Sequence, residues 1–358
     1  MIMDQARRRD AAELMTLAAV ASVRAGANRG FVQAGIDDQL QQRHYATGGV
    51  WRRVWGPTLS RENAPPLNAS GLAMYVARRD DPKGVHFVIA VRAPRWSFLA
   101  HIGAAEWLEA VPLAGAPAGA RAARGAVRAQ QQLLAMSDPR RGPLLRFLRR
   151  ELPKHENWSL SLAAHGLAGP VVELLRWALD EELGEVLAAG RVETWTFGGP
   201  SVGNAELARR GAERFGDTVF RVVNPFDAVP YVWARLGPLS QLGIPNSLPT
   251  RDERGADPID IERVVAEVVD RLGAQEPVVE VGRRLELRGV QIPSQRQSPQ
   301  GEPWLAQVDF QHNPNSYLWL LEAEEVFDRG VEGPYSDASV LPHFATTQPL
   351  RTLDSDDL

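Results

Sequence analysis

The 358-residue chain is 44% hydrophobic and 23% charged, enough to bury one large core or two smaller ones. Its formal net charge of −4 argues against a nucleic-acid partner, which needs a clustered basic field; short runs such as Arg7-Arg8-Arg9 and Arg140-Arg141 read as solvated helix faces. With no cysteine there is no disulfide, no thiolate metal site and no cysteine nucleophile.

Residues 5–25 carry Ala, Leu and Val at three- and four-residue spacing and predict an amphipathic surface helix. Within it MTLAAVASV is apolar but too short to span a membrane, and the mixed-charge MDQARRRDAAEL before it is unlike a signal sequence. The expectation is a soluble, cytoplasmic protein with no transmembrane segment, and the alanine- and arginine-rich usage is that of a GC-rich bacterial gene. Residues 26–70 are mixed and include WGPTLS. MYVARR and VHFVIAVRA predict two strands joined by DDPKG, the second apolar throughout, as in a strand buried on both faces.

A Gly-, Ala- and Pro-rich stretch over 102–118 gives way to two helices within 119–152, broken near Ser137-Asp138-Pro139. Strands at 158–164, 191–197 and 218–223 then alternate with helices at 168–180, extending to 188, and 204–214. That rhythm predicts the α/β class, with a mostly parallel sheet and helices on both faces. Residues 231–277 break it with a Pro/Gly-rich loop and the helix IERVVAEVVDRL, as an insertion over the sheet edge or part of a cap. VVEVGRRLELRG predicts a short hairpin, and a helix over 315–328 closes the fold. One domain therefore spans 1–330, with 331–358 a C-terminal extension ending in a tail of disordered composition, TLDSDDL.

WSLSLAAHGLAGPVVELL (158–175) runs from an apolar strand through a small-residue turn into a helix. A turn that displays a nucleophile strains its backbone and needs small neighbours, which Ala164, Gly166, Ala168 and Gly169 supply. The same turn aims the first N–H groups of the helix at whatever binds there. An ordinary strand-to-helix turn with small residues for close packing fits the segment equally well. TWTFGGPSVGN follows the next strand, Asp227 stands in FRVVNPFDAVP and His312 in FQHNPNSYLWLL, so elbow, acid and histidine come in the chain order of the α/β-hydrolases. His44, His86, His155 and His343 have no metal-ligand spacing, and GGPSVGN has the wrong spacing for a dinucleotide fingerprint. Neither a metal nor a cofactor is expected.

Together these segments resemble the class 3 lipases, the fungal-lipase-like family of the α/β-hydrolase fold. The family's GHSLGG stands here as AHGLAG, its FGxPxVGN as FGGPSVGN, its RVVNxxDxVP as RVVNPFDAVP, and its HxxxxY as His312 to Tyr317. VVEVGRRLEL is similar to the strand pair before the family's histidine, EWLEAV to its DWxxDL, and WGPTLS with the strands after it to the N-terminal part of bacterial members. The resemblance covers residues 10–330. It implies a lipid-like or other acyl-ester substrate in an apolar cleft, Asp227 and His312 as acid and base, His165 packed beneath the elbow at the pocket, and the Leu167 N–H as an oxyanion donor.

The departures carry as much weight. The family's serine falls on Gly166, so no acyl-enzyme forms there; Ser159 and Ser161 lie back along the strand and Ser201 follows a different one. The family's RGS or RGT segment falls on Arg92-Ala93-Pro94, and Pro94 has no N–H to offer as the second oxyanion donor. Loss of one such donor typically costs about 10²–10³ in rate. The HxGF segment falls on Ala123-Arg124-Gly125-Ala126, without its histidine or aromatic.

Three readings follow. One is a lipase-like protein that has lost hydrolysis and binds a hydrophobic acyl or ester small molecule or a partner protein. The second is an enzyme using His312–Asp227 as a general base without a covalent intermediate, for direct hydrolysis, lyase or cyclase chemistry. The third is an active lipase with an engineered Ser→Gly change. Two separately lost parts, at Gly166 and Pro94, favour natural loss over engineering.

Overall fold

Two capping side chains start the first helices. Asp4 accepts the Arg7 N–H at 2.8 Å ahead of α1 (Gln5–Val20), and Asn28 accepts the Phe31 N–H at 3.2 Å ahead of α2 (Arg29–Gln39). The computed structural model describes residues 3–23, 28–60, 71–93, 109–113, 118–231, 278–289 and 310–325. Helix α2 falls where the sequence shows only a mixed segment. With two glycines it has little helical propensity of its own, and burial of Val32, Ile36 and Leu40 holds it.

Strands β1 (Arg52–Leu59), β2 (Ala73–Asp81) and β3 (Gly84–Arg92) follow as an antiparallel meander. After the short strands β4 (Ala110–Pro112) and β5 (Arg121–Ala123) come α3 (Arg124–Ala135), a two-residue-stranded hairpin β6 (Ser137–Asp138) and β7 (Gly142–Pro143), and α4 (Leu144–Glu151). The predicted break between two helices is therefore a hairpin, pinned by Asp138, whose Oδ1 accepts the Arg140 and Arg141 N–H groups, each at 2.8 Å.

The alternating half of the chain runs β8 (Trp158–His165), α5 (Ala168–Leu187), β9 (Arg191–Phe197), β10 (Gly203–Asn204), α6 (Ala205–Phe215) and β11 (Val219–Val223). It is followed by β12 (Val278–Val279), β13 (Arg283–Glu286) and α7 (Pro314–Leu320). Among the described residues the main sheet has seven strands in the order β1-β2-β3-β8-β9-β11-β13, parallel from β3 onward. Residues alternate between two cores. Phe87, Ile89 and Val91 of β3 and Leu160, Leu162 and Ala164 of β8 pack towards α3 to α6. Val88, Ala90 and Ala163 pack towards α1, α2 and α7.

Two expectations are corrected. Residues 278–289 are not a hairpin: β12 pairs antiparallel with β10 in a small four-stranded sheet, while β13 pairs parallel with β11 in the main sheet. Gly282, at φ +87°, turns the chain from one sheet to the other against Val219. The closing helix stops at Leu320 instead of running to 328, because Glu322 adopts φ +64° and the buried Glu325 accepts hydrogen bonds from Thr16 and Ala46 in the N-terminal part of the chain. The predicted insertion beyond Tyr231 and the extension 331–358 lie outside the described residues. Among the described residues, no helix is long and apolar enough to cross a membrane.

Leu162 is wholly buried in the centre of β8. Leu162→Ala is expected to lower unfolding free energy by about 2–5 kcal/mol in chemical denaturation; a loss under about 1 kcal/mol would contradict the packing described.

Candidate active site

Strand β8 delivers its last side chain, His165, to the sheet's C-terminal edge, and the chain then reverses into α5 through Gly166 and Leu167. Gly166 has φ +60°, a left-handed conformation that costs any residue with a Cβ, and its N–H donates to the Phe197 carbonyl at 2.8 Å. The Gly169 N–H closes the turn on the Gly166 carbonyl, also at 2.8 Å. Leu167 caps α5, so its N–H belongs to the first turn, whose donors have no intrahelical acceptor. The neighbouring loop after β9 lies against this turn backbone to backbone: a Cβ on Gly169 would come within 3.1 Å of the Gly199 Cα.

Opposite the elbow stands a buried carboxylate. Asp227, on the loop after β11, has no solvent contact. Its Oδ2 pairs with His312 Nδ1 at 2.8 Å and accepts the Tyr317 hydroxyl at 2.7 Å, while its Oδ1 accepts the Val229 N–H at 2.9 Å. The Tyr317 oxygen in turn accepts the Asn224 N–H at 3.2 Å. Burial first, then the Asp227 charge, pushes the Tyr317 phenol well above its ordinary pKa, so it remains a donor. Asn224 reaches back to the histidine loop, donating from Nδ2 to Gln311 Oε1 at 2.7 Å and to the Gln311 carbonyl at 3.1 Å. With Nδ1 committed to Asp227, the other imidazole nitrogen points at the elbow. A Cβ built on Gly166 would lie 2.8 Å from His312 Nε2.

Residues 103–236 match the family model described as Lipase (class 3). This stretch is similar to class 3 lipase sequence. A search of curated proteins finds no match. Among solved structures, M37 lipase aligns with a TM-score of 0.68 at 18% identity, over 90% of this chain and 94% of that one. The lipase from Rhizopus microsporus var. chinensis aligns with a TM-score of 0.50 at 17% identity, over 65% of this chain and 71% of that one. At these identities the likeness is one of fold, the α/β-hydrolase fold.

Within this lipase-like scaffold the structure brings Gly166, Leu167, His165, Asp227 and His312 to one place. His165 lies with its ring 4.6 Å from that of His312 and edge-on to Tyr317 at 5.4 Å. Pro94 lies outside the described residues, so the second oxyanion position is not part of this geometry. Ser161 faces away along β8 and meets His86 Nε2 at 3.0 Å, where burial pushes the His86 pKa down to about 4. Ser201 is wholly buried.

Sequence reasoning quoted Tyr317 within the HxxxxY spacing but gave it no task. It also passed over Gly198, where a Cβ would sit 2.8 Å from both Asp227 Oδ2 and the Tyr317 hydroxyl. The signal available was that a buried carboxylate needs more donors than one histidine.

A buried ion pair braces the loop after β9. Arg221 on β11 donates to the Gly199 carbonyl at 2.8 Å and lies 3.4 Å from Glu173 on α5, with both side chains buried. Burial pushes the Glu173 carboxyl from 4.5 up to about 7, against the pull of Arg221.

Tyr317→Phe removes a donor from Asp227 and an acceptor from Asn224. It is expected to cost about 1–3 kcal/mol in denaturant unfolding, and an unchanged midpoint would mean the hydroxyl carries nothing. For Glu173, the folded protein holds a proton between pH 4.5 and about 7 that the unfolded chain has released. The group's contribution to stability is thus fully present below 4.5 and lost as pH rises through about 7. Glu173→Gln should flatten the fall in Tm across that window, and an unaltered slope would remove Glu173 as its source.

Proposed function

We propose that this chain recognises an acyl or ester ligand on a class 3 lipase scaffold without forming a covalent acyl intermediate at its elbow. One observation carries the reading. His312 Nε2 lies within 2.8 Å of the point where a Cβ on Gly166 would stand, closer than real Cβ contacts come. A side chain at residue 166 would require the end of the imidazole, held from behind by Asp227, to shift, and glycine leaves the ring where it is. Loss of the Pro94 donor points the same way. The ligand class is taken from the family: a hydrophobic acyl chain or ester, in a cleft beside the elbow.

A second reading rests on the intact His312–Asp227 contact. An imidazole oriented by a buried carboxylate is a general base near neutral pH. With no alcohol at residue 166, its Nε2 would take a proton from water as the water oxygen attacks the acyl carbon, then pass that proton to the departing alkoxide.

Labelling with a fluorophosphonate, turnover of nitrophenyl esters and saturable binding of a medium-chain fatty acid, followed by tryptophan fluorescence, separate the cases. The expected result is binding without labelling or turnover; stoichiometric labelling of a serine in the unaltered protein would overturn the proposal. Turnover without labelling that disappears in His312→Ala would establish the second reading in its place. Gly166→Ser should lose about 1–3 kcal/mol of stability from its left-handed backbone alone, and should label only as far as His312 can withdraw.

A further inference from the structure

Away from the elbow, a cavity of about 410 Å³ opens beside β1, the edge strand of the main sheet. Helix α2 walls it on one face and the β6–β7 hairpin on the other. Its lining includes Arg29, Arg53, Arg140 and Arg141, with Asp138 as the one carboxylate among the described lining residues. Strand β1 lies three strand spacings from β8, about 14 Å at the usual inter-strand distance, so this cavity and the elbow are separate places.

Four guanidinium groups around one small space repel one another unless something neutralises them. Arg53 is accounted for: it forms a two-pronged pair with Asp37, at 2.8 and 2.7 Å, and its third nitrogen donates to the Gly56 carbonyl. Arg29 is accounted for in part, reaching Asp138 at 3.1 Å from a single nitrogen. The Arg29 Nε is buried and has no partner among the described residues.

Asp138 has little capacity left for further donors. Its Oδ1 takes the N–H groups of Arg140 and Arg141, and its Oδ2 takes the Gly56 N–H at 3.1 Å besides Arg29. Arg140 and Arg141 thus engage Asp138 through the backbone, and their exposed side chains form no ion pair among the described residues. Read from sequence as a solvated helix face, this pair instead sits in a hairpin turn at the rim of a cavity.

We infer that this cavity seats a phosphate group, either a free phosphate or phosphomonoester or the headgroup of an anionic phospholipid. Guanidinium forks match phosphate oxygens two at a time, and the helix (Arg29) and the hairpin (Arg140, Arg141) bring such forks around one volume large enough for a small phosphorylated molecule, while Arg53 on the strand adds its charge. The excess of positive charge is local, since the whole chain carries a net −4.

Isothermal titration of the full chain with inorganic phosphate and with glycerol 3-phosphate, beside flotation with phosphatidylcholine vesicles with and without phosphatidic acid, tests this. The double variant Arg140→Gln, Arg141→Gln removes two forks while leaving the backbone contacts to Asp138. Arg150→Gln, an exposed arginine on α4 outside the cavity, controls for lost charge. Saturable binding that weakens at least about tenfold in the double variant but not in the control is the expected result. Soluble phosphates binding in this way identify a free ligand. Vesicles alone doing so, and only with phosphatidic acid, identify a lipid headgroup. Binding that survives the double variant, or no binding by any probe, overturns the inference.

Discussion

A carboxylate without solvent must find its hydrogen bonds inside the protein, and Asp227 finds three: from the His312 ring, the Tyr317 hydroxyl and the Val229 N–H. Each donor comes from a different place in the chain. Val229 follows the loop after β11, His312 precedes α7, and Tyr317 lies within α7. Satisfying one buried charge therefore docks the last described helix onto the sheet's C-terminal edge and fixes where the imidazole points. Asn224 tightens the same joint by binding Gln311, the residue beside His312. Disturbing this carboxylate would disturb the helix, the histidine and the loop after β11 together.

The joint closes only because side chains are missing where backbones meet. At Gly198 a Cβ would collide with Asp227 and Tyr317 at once, and Gly169 and Gly199 let the elbow and the neighbouring loop touch. These three glycines serve packing. Gly166 differs, since the atom a Cβ would strike is His312 Nε2, the reactive end of a side chain. Its left-handed φ is the backbone feature that displays a nucleophile in this kind of turn. The turn keeps the conformation while the position it displays holds no reactive group.

Where hydrophobic periodicity ran undisturbed, the sequence was readable. The strand at 191–197 and the helix following Gly166 appear where their patterns put them, because each is buried along a continuous stripe. Helix α2 was not legible: Gly30 and Gly35 dilute its pattern, and only tertiary burial makes it a helix. VVEVGRRLELRG read as a hairpin because Gly282 does mark a turn, but local pattern cannot say which sheet each arm will join. At the site, Gly166, Asp227 and His312 were found through resemblance to a family motif, and the structure gathers them. Tyr317 and Gly198 were missed because their importance lies in contacts across 90 and 29 positions of sequence to Asp227.

An aspartate–histidine contact beside a glycine turn needs no catalytic explanation. Were His312 replaced by an apolar residue, Asp227 would keep its two other donors yet lose one partner in a place water does not reach. An under-satisfied buried carboxylate is costly. The same interaction that would orient a base thus also holds the fold, so its presence counts for both readings of the site. What distinguishes them is the Nε2 face of the imidazole. A base must have Nε2 open to a proton donor, whereas a structural histidine can rest that nitrogen against the elbow. In the described conformation Nε2 faces the elbow, 2.8 Å from the point where a Cβ on Gly166 would stand. Because glycine leaves that point empty, a water there would lie at hydrogen-bond distance from the nitrogen, and the same glycine that relieves the backbone also makes room for a proton donor.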